Sequence, residues 1–365
     1  MRITQYLTII ICFFLTLQPV KAEVVEPIKI GVSTALTGDA ATYGNDIKST
    51  LLFVNELLGE GKYHLLFEDD QCSGREAVSI ARKFIDIENV KYVIGFACSG
   101  ALLSAAPVYE RSRVIAMGVT TSSPRISEAG DFIFRVAPND ATAARVLAKH
   151  ISKKYSDIAV LTEETDYCRD LTNVFKKEAE RSGIALSEES FISGSTEGLP
   201  SLLQRIRQRQ PKAIFLNVQA ERPLADLVRR IRDMQWDIQI YAIYYPSSKS
   251  FLDAVGEDAL GIRFVDLPPM IEYLDDTGKK MYQRFLEERN EVLNLEFVFV
   301  LAYKTLLALH QAIQSGEPVK EYLLHASFMG PTGEFSFDQN GDVQGVGLVQ
   351  VMKEIEEDHS IVVID

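Results

Sequence analysis

From Ile28 to Val265, short apolar runs rich in β-branched residues alternate with longer segments of helical periodicity, and that alternation decides the fold class. A strand that returns to its own sheet through a helix lies parallel to its predecessor, so repeated strand–helix units give a mainly parallel sheet with helices on its faces. Strand patterns cover 28–33, 63–69, 92–94 and 114–117, with helical patterns over 45–58, 74–87 and 101–111 between them. In 74–87 the residues Ala77, Ile80, Ala81 and Phe84 share one face, as a half-buried helix requires. After an extended piece at 132–136, Pro138-Asn-Asp140 reads as a linker and helix start, and the alternation begins again. Helices at 141–154, 170–182, 199–208 and 222–234 now separate strands at 158–161, 186–191, 213–216, 238–242 and 262–265. Two such series predict two sheets, and a chain of 365 residues is too long for one ordinary core. Pro268-Pro269 closes the second series, since neither residue can donate a ladder hydrogen bond. Helices at 277–290, 296–315 and 319–326 follow, then a Gly-punctuated turn region at 330–342, an alternating strand at 343–352 and a last strand at 361–364.

The first 22 residues are expected to leave the chain. Arg2 supplies a positive charge, 3–17 is mostly apolar, and Val20-Lys21-Ala22 ends in the small residue a signal peptidase prefers, which implies export to the periplasm with cleavage near Ala22. The apolar run is shorter than the ~20 residues of a spanning helix, and no later stretch reads as one. Losing Arg2 and Lys21 lowers the formal charge from −13 to −15. A chain this acidic repels nucleic acid and anionic membrane, and its Arg-rich stretches at 205–209 and 229–232 fall on solvated helix faces.

Export also places the cysteines in an oxidising compartment. Cys72 follows the acidic segment 68–70 and Cys98 follows the strand 92–94, so both stand at the same end of their strands and a Cys72–Cys98 disulfide is expected. Cys168 is then unpaired and reads as a buried thiol, with a reactive or intermolecular thiol as the alternative.

The stretch Lys91-Tyr-Val-Ile-Gly-Phe-Ala-Cys-Ser-Gly100 carries the first sign of function. A strand running straight into a helix leaves the first helical N–H groups unpaired, and here the Ser99 hydroxyl stands beside them. Such a terminus holds a carboxylate without metal or arginine. A plain N-cap is the competing reading of Ser99.

The order and spacing of several short motifs resemble the leucine/isoleucine/valine-binding proteins, the type I periplasmic substrate-binding components of ATP-dependent importers. They are Ile30-Gly-Val-Ser-Thr-Ala-Leu-Thr-Gly38, Tyr43-Gly44, Glu68-Asp-Asp-Gln-Cys72, Tyr92-Val-Ile-Gly95 with Cys98-Ser99, Ser123-Pro124, Phe134-Arg135 with Asp140, and Gly330-Pro-Thr-Gly with Phe337-Asp338 and Gly341-Asp342. The resemblance implies an α/β fold of two Rossmann-like lobes joined by three crossovers, placed near Asn139, Pro268 and Gly330. The first lobe would comprise 27–139 and 269–329, the second 140–268 and 330–365. It also implies a ligand held in the interlobe cleft of a monomer and handed to the membrane permease of an ABC transporter. A ligand sensor controlling a receptor or regulator would use the same fold.

Carried over residue by residue, the resemblance gives the ligand carboxylate to Ser99 and the loop at Thr120, Thr121 and Ser122. Tyr43 would form an aromatic wall and Tyr167 a lid from the second lobe. Where the amino-acid binders place an acidic residue for the ligand's ammonium, this chain aligns Tyr245. A phenol supplies no counter-charge, so either Glu221, Glu163 or Asp166 takes over the role, or the ligand is not a simple α-amino acid. An aromatic or short carboxylate, or an amide, suits the tyrosines equally well.

His64, His150, His310, His325 and His359 form no i, i+4 pair and have no cysteine nearby, so no metal site is expected. Asp338-Gln-Asn-Gly-Asp342 lacks the later glutamate of a calcium loop and reads as a tight turn. Without a phosphate loop, a dinucleotide fingerprint or a nucleophile elbow, neither a cofactor nor a catalytic residue is assigned.

Overall fold

Strands β1 (Ile28–Thr34), β2 (Tyr63–Asp69), β3 (Tyr92–Gly95), β4 (Ile115–Gly118) and β5 (Ile133–Arg135) form one parallel sheet of order β2-β1-β3-β4-β5. Helices α1 (Ala41–Val54), α2 (Gly74–Arg82) and α3 (Ser99–Ser112) connect them. The computed structural model describes residues 26–192, 198–289, 292–345 and 349–364, so the expected leader at 1–22 lies outside the described residues. Both α1 and α2 end in a wider π turn, over Asn55–Gly59 and Lys83–Ile87, which accounts for the full lengths the periodicity predicts.

The second series runs α4 (Asp140–Ser152), β6 (Asp157–Glu163), α5 (Asp166–Arg181), β7 (Ala185–Phe191), α6 (Leu199–Gln208), β8 (Ala213–Asn217), α7 (Glu221–Asp233), β9 (Gln239–Ile243), α8 (Lys249–Val255) and β10 (Arg263–Asp266). Its central strands are buried on both faces, as every residue of β8 is, because helices cover each side of a parallel sheet. Then come α9 (Asp276–Arg289), α10 (Phe297–Gln314), α11 (Val319–His325) and three short antiparallel strands, β11 (Phe328–Gly330), β12 (Gly333–Phe337) and β13 (Val343–Gly345). The chain ends with β14 (Val351–Ile355) and β15 (Ile361–Val363), which complete the second sheet as β15-β14-β10-β9-β8-β6-β7, both new pairings antiparallel.

The α/β fold of two mainly parallel lobes is the expected one, but three local readings need correction. Residues 330–345 do not join the second lobe. Phe337 packs edge-on against Phe134 at 5.5 Å, and Asp342 pairs with Arg135 of β5. The last passage between lobes therefore lies between Gly345 and Val351 rather than near Gly330. This region is also a small sheet rather than a run of turns. The alternation of buried Phe335 and Phe337 in β12 is a period-two strand signal that the surrounding glycines hide. Helix α8 was not expected at all, since a seven-residue helix shows barely two turns of periodicity. It is capped by Ser248, whose hydroxyl accepts from Phe251 N–H at 3.2 Å.

Helix α10 is long and apolar enough to cross a membrane by length and composition, yet it is mostly buried and serves as the core helix behind α1. It carries an anomaly. Lys304 is fully buried, its Nζ has no hydrogen-bond partner among the described residues, and it lies 5.2 Å from the Phe335 ring centroid. Burial pushes its pKa down to about 8 from 10.5. The charged form is penalised at neutral pH, and the penalty fades as pH rises from about 8 towards the unfolded value. Lys304→Met is expected to stabilise the fold by about 2 kcal/mol at pH 7, with the gain shrinking above pH 8. Urea melts of both proteins at pH 7 and pH 9.5 check this.

Candidate functional site

The C-terminal ends of the central strands in both sheets face one another, and open α/β sheets bind ligands at such edges. On the first lobe, β3 leads through Gly95 (φ 113°) into α3, with Cys98 as the N-cap residue. The N–H groups of Ser99 and Gly100 open the helix, where no intrahelical acceptor exists. Ser99 Oγ accepts from Ser123 N–H at 3.2 Å, which joins this terminus to the loop after β4. That use of the oxygen leaves the Ser99 hydroxyl proton to donate elsewhere. Thr120 Oγ donates to Ala97 O at 2.9 Å. Tyr43 comes from α1, which approaches β1 so closely that a Cβ on Gly44 would stand 1.6 Å from Ala35 O, so only glycine fits beside it.

On the second lobe, Thr165 caps α5 by accepting from Cys168 N–H at 3.2 Å and puts Tyr167 in the first turn. Gln219 follows β8, and Tyr244 and Tyr245 follow β9. Tyr244 has φ 53° and ψ −59°, a sparsely populated conformation held by its N–H donating to Val265 O at 2.8 Å and its hydroxyl donating to Asp140 at 2.5 Å. Helix α10 contributes Phe297. Between these groups lies a cavity with about 540 Å³ of empty space, its mouth included.

Of the residues expected at the site, Tyr43, Ser99, Thr120, Ser122, Tyr167 and Tyr245 line this cavity. Thr121 and Glu221 are not among its lining residues. Thr121 is fully buried beneath the loop, and Glu221 Oε1 accepts from Thr42 Oγ and Asn294 Nδ2, both at 2.9 Å, tying the lobes together beside the cavity. Ser123 Oγ donating to Asp170 at 2.9 Å makes a second interlobe tie. The cleft is therefore shut.

Asp140 has a structural role that its motif does not announce. It is fully buried at the start of α4, with Ser122 Oγ and the Tyr167 hydroxyl donating to Oδ2 at 2.7 Å each and Tyr244 donating to Oδ1. Burial raises its pKa, opposed by those three hydrogen bonds. The Ser122 and Tyr167 hydroxyls are thus engaged with the hinge rather than turned to the cavity. Burial likewise pushes the phenols of Tyr43, Tyr167, Tyr244 and Tyr245 well above their ordinary pKa, so all four rings are neutral. Sequence reasoning missed Gln219, Tyr244 and Phe297. Position just after β8 and β9 could have marked the first two, while nothing local marks Phe297.

The Cys72–Cys98 disulfide is present, and Cys168 is a buried thiol whose pKa burial raises, which keeps it protonated and unreactive.

The model of the periplasmic binding protein family matches residues 27–354. The chain belongs to that family. Its homologues across the family are substrate-binding proteins, not enzymes. It is 25% identical over 337 residues to the leucine-, isoleucine-, valine-, threonine- and alanine-binding protein of Pseudomonas aeruginosa, covering 87% of this chain and 88% of that one. Among solved structures it is similar to a leucine binding protein from Thermotoga maritima, with TM-score 0.83 and 21% identity over 93% of this chain and 98% of the other. It is also similar to a solute binding protein of R. palustris in complex with 4-hydroxybenzoate, with TM-score 0.79 and 18% identity over 93% and 96%. At these identities the structural likeness shows the fold. Relatives of the chain in this family are named for the amino acids they bind.

Proposed function

We propose that this periplasmic binding protein is exported, captures a small carboxylate-bearing ligand in the interlobe cavity, and presents the closed form to the permease of an ABC importer. The observation that carries the reading is the start of α3. Ser99, the first residue of α3, lines the cavity with its hydroxyl proton uncommitted, and the positive end of a 14-residue helix stands behind it. The P. aeruginosa relative is named for amino acids and the R. palustris neighbour holds 4-hydroxybenzoate, and both ligand classes carry a carboxylate. Closure follows from contacts available only when both lobes meet the ligand, Ser99 from one side and the tyrosines of the second lobe from the other.

A hydrogen bond to a charged group contributes about 1.5–3 kcal/mol. Ser99→Ala is therefore expected to weaken binding at least about tenfold and also to destabilise the empty protein by about 1–3 kcal/mol, because the buried Ser123 N–H loses its acceptor. Thermal-shift screening of amino acids, keto acids, aromatic acids and amides, followed by titration calorimetry on the variant, tests this. Stabilisation by none of the carboxylates would sink the reading.

A further inference from the structure

The acidic groups around the second-lobe wall stand outside the cavity lining, and most are already paired, as Asp266 is with Lys353 at 2.8 Å. Glu163 Oε2 accepts from Gln219 N–H at 2.6 Å. Asp166 is exposed and paired with Arg169 at 2.8 Å. Both oxygens of Asp140 are taken by hydroxyls, and the residue has no exposed surface. Glu221 is buried outside the cavity lining, its Oε1 taken by Thr42 and Asn294, while its Oε2 has no hydrogen-bond partner among the described residues and makes it the one carboxylate beside Tyr43 and Tyr245 that could compete for an ammonium. No charged side chain lines the cavity among the described residues.

An ammonium needs acceptors, and the wall has few to give. The Tyr167 and Tyr244 hydroxyls lie against Asp140, and the Tyr245 hydroxyl donates to Gln219 O at 2.5 Å, so these phenols meet the cavity mainly with ring carbon. Tyr43 stands edge-on to Tyr245 at 5.7 Å and to Phe297 at 6.3 Å, which continues the aromatic surface across both lobes. One flexible polar group remains. The Gln219 side chain lines the cavity, is only partly buried, and makes no hydrogen bond among the described residues. A primary amide is neutral and both donates and accepts, which fits a hydroxyl or carbonyl.

Resting on the carboxylate reading above, we infer that the site selects monocarboxylates without an ammonium group, with an aromatic or apolar body and a neutral oxygen at the far end that Gln219 reads. Placing an ammonium here leaves a charge in a desolvated aromatic pocket without an anion, a loss of several powers of ten in affinity against the same acid without nitrogen. Partial compensation by ring faces leaves at least a tenfold preference.

The experiment titrates the full chain, stripped of copurified ligand by unfolding and refolding, with matched pairs: tyrosine against 3-(4-hydroxyphenyl)propanoate, phenylalanine against 3-phenylpropanoate, and leucine against 4-methylpentanoate. Glycine betaine and the methyl esters of the three acids complete the set. In each pair the acid without nitrogen binds at least tenfold tighter, and the phenolic acid binds tighter than its unhydroxylated partner. Gln219→Glu, which changes shape little and adds a negative charge, narrows or reverses the preference. Tighter binding of the amino acids, abolished by Glu221→Gln, would overturn the inference and give the ammonium to Glu221. Tighter binding of betaine would overturn it by making the aromatic wall a cation cage. Both results leave the carboxylate reading standing. Esters binding as well as acids, or no compound binding, would overturn that reading and this inference together. The wild-type pairs decide the matter even if Gln219→Glu does not fold.

Discussion

Exchange of Arg135 for methionine is expected to destabilise the protein by about 3–5 kcal/mol, the cost of leaving one partner of a buried ion pair uncompensated. Arg135 has no exposed surface, and its Nε and Nη2 donate to the two oxygens of Asp342 at 2.7 and 2.8 Å. Nη1 donates to Ser123 O at 2.7 Å and Nη2 also to Ser127 Oγ at 2.8 Å. Four bonds from one guanidinium join β5, the loop after β4 and the turn after β12, so the loss reaches beyond the salt bridge. Urea denaturation of Arg135→Met measures it. The double variant with Asp342→Asn is expected to recover part of the cost, because the orphaned charge is gone. A single-variant loss under about 1 kcal/mol would place Arg135 with ordinary surface pairs. Binding is expected to weaken as well, since Ser123 N–H donates to Ser99 Oγ on the other side of that loop.

The same pair shows what can be read from sequence. Phe134-Arg135 and Gly341-Asp342 both stood out as motifs, yet nothing in either stretch says that they meet across 207 residues. Strand positions were legible because parallel strands buried on both faces need unbroken apolar runs; Ser99 was legible as the helix start after a strand, while Tyr43 and Tyr245, which also line the cavity, came only from the resemblance. Asp140 and Glu221 were harder, because a carboxylate's role depends on which hydroxyls or amides turn towards it. Glu221 is met by Thr42 and Asn294 from the opposite lobe, contacts that exist only once the lobes are shut. The third crossover was misplaced for a different reason. Glycines at 330, 333, 341 and 345 punctuate a segment whose strands are three to five residues long, too short for periodicity to outweigh turn chemistry.

Breaking the Cys72–Cys98 bond is the second large effect, expected to cost about 3–4 kcal/mol for a loop of this length. The cysteines are 26 residues apart in sequence and 5.3 Å apart at Cα. A cross-link that acted only by restricting the unfolded chain would change stability and leave the affinity of the folded protein alone. This one does more, because Cys98 is the N-cap of α3 and Ser99 follows it directly. The bond anchors the helix start to the end of β2, where Asp70 accepts from Cys72 N–H at 3.0 Å and from Ser33 Oγ at 2.8 Å. Without it, the start of α3 loses one of its attachments, leaving the Ser123 N–H bond to Ser99 Oγ and the Thr120 bond to Ala97 O. Cys72→Ala with Cys98→Ala should therefore lower both the urea midpoint and the ligand affinity, the latter several-fold. Dithiothreitol should do the same to the native chain, whose one free thiol among the described residues, Cys168, is buried. Lower stability with unchanged affinity would show that α3 holds its position without the bond, and the Ser99–Ser123 and Thr120–Ala97 contacts would then be the anchors to test next.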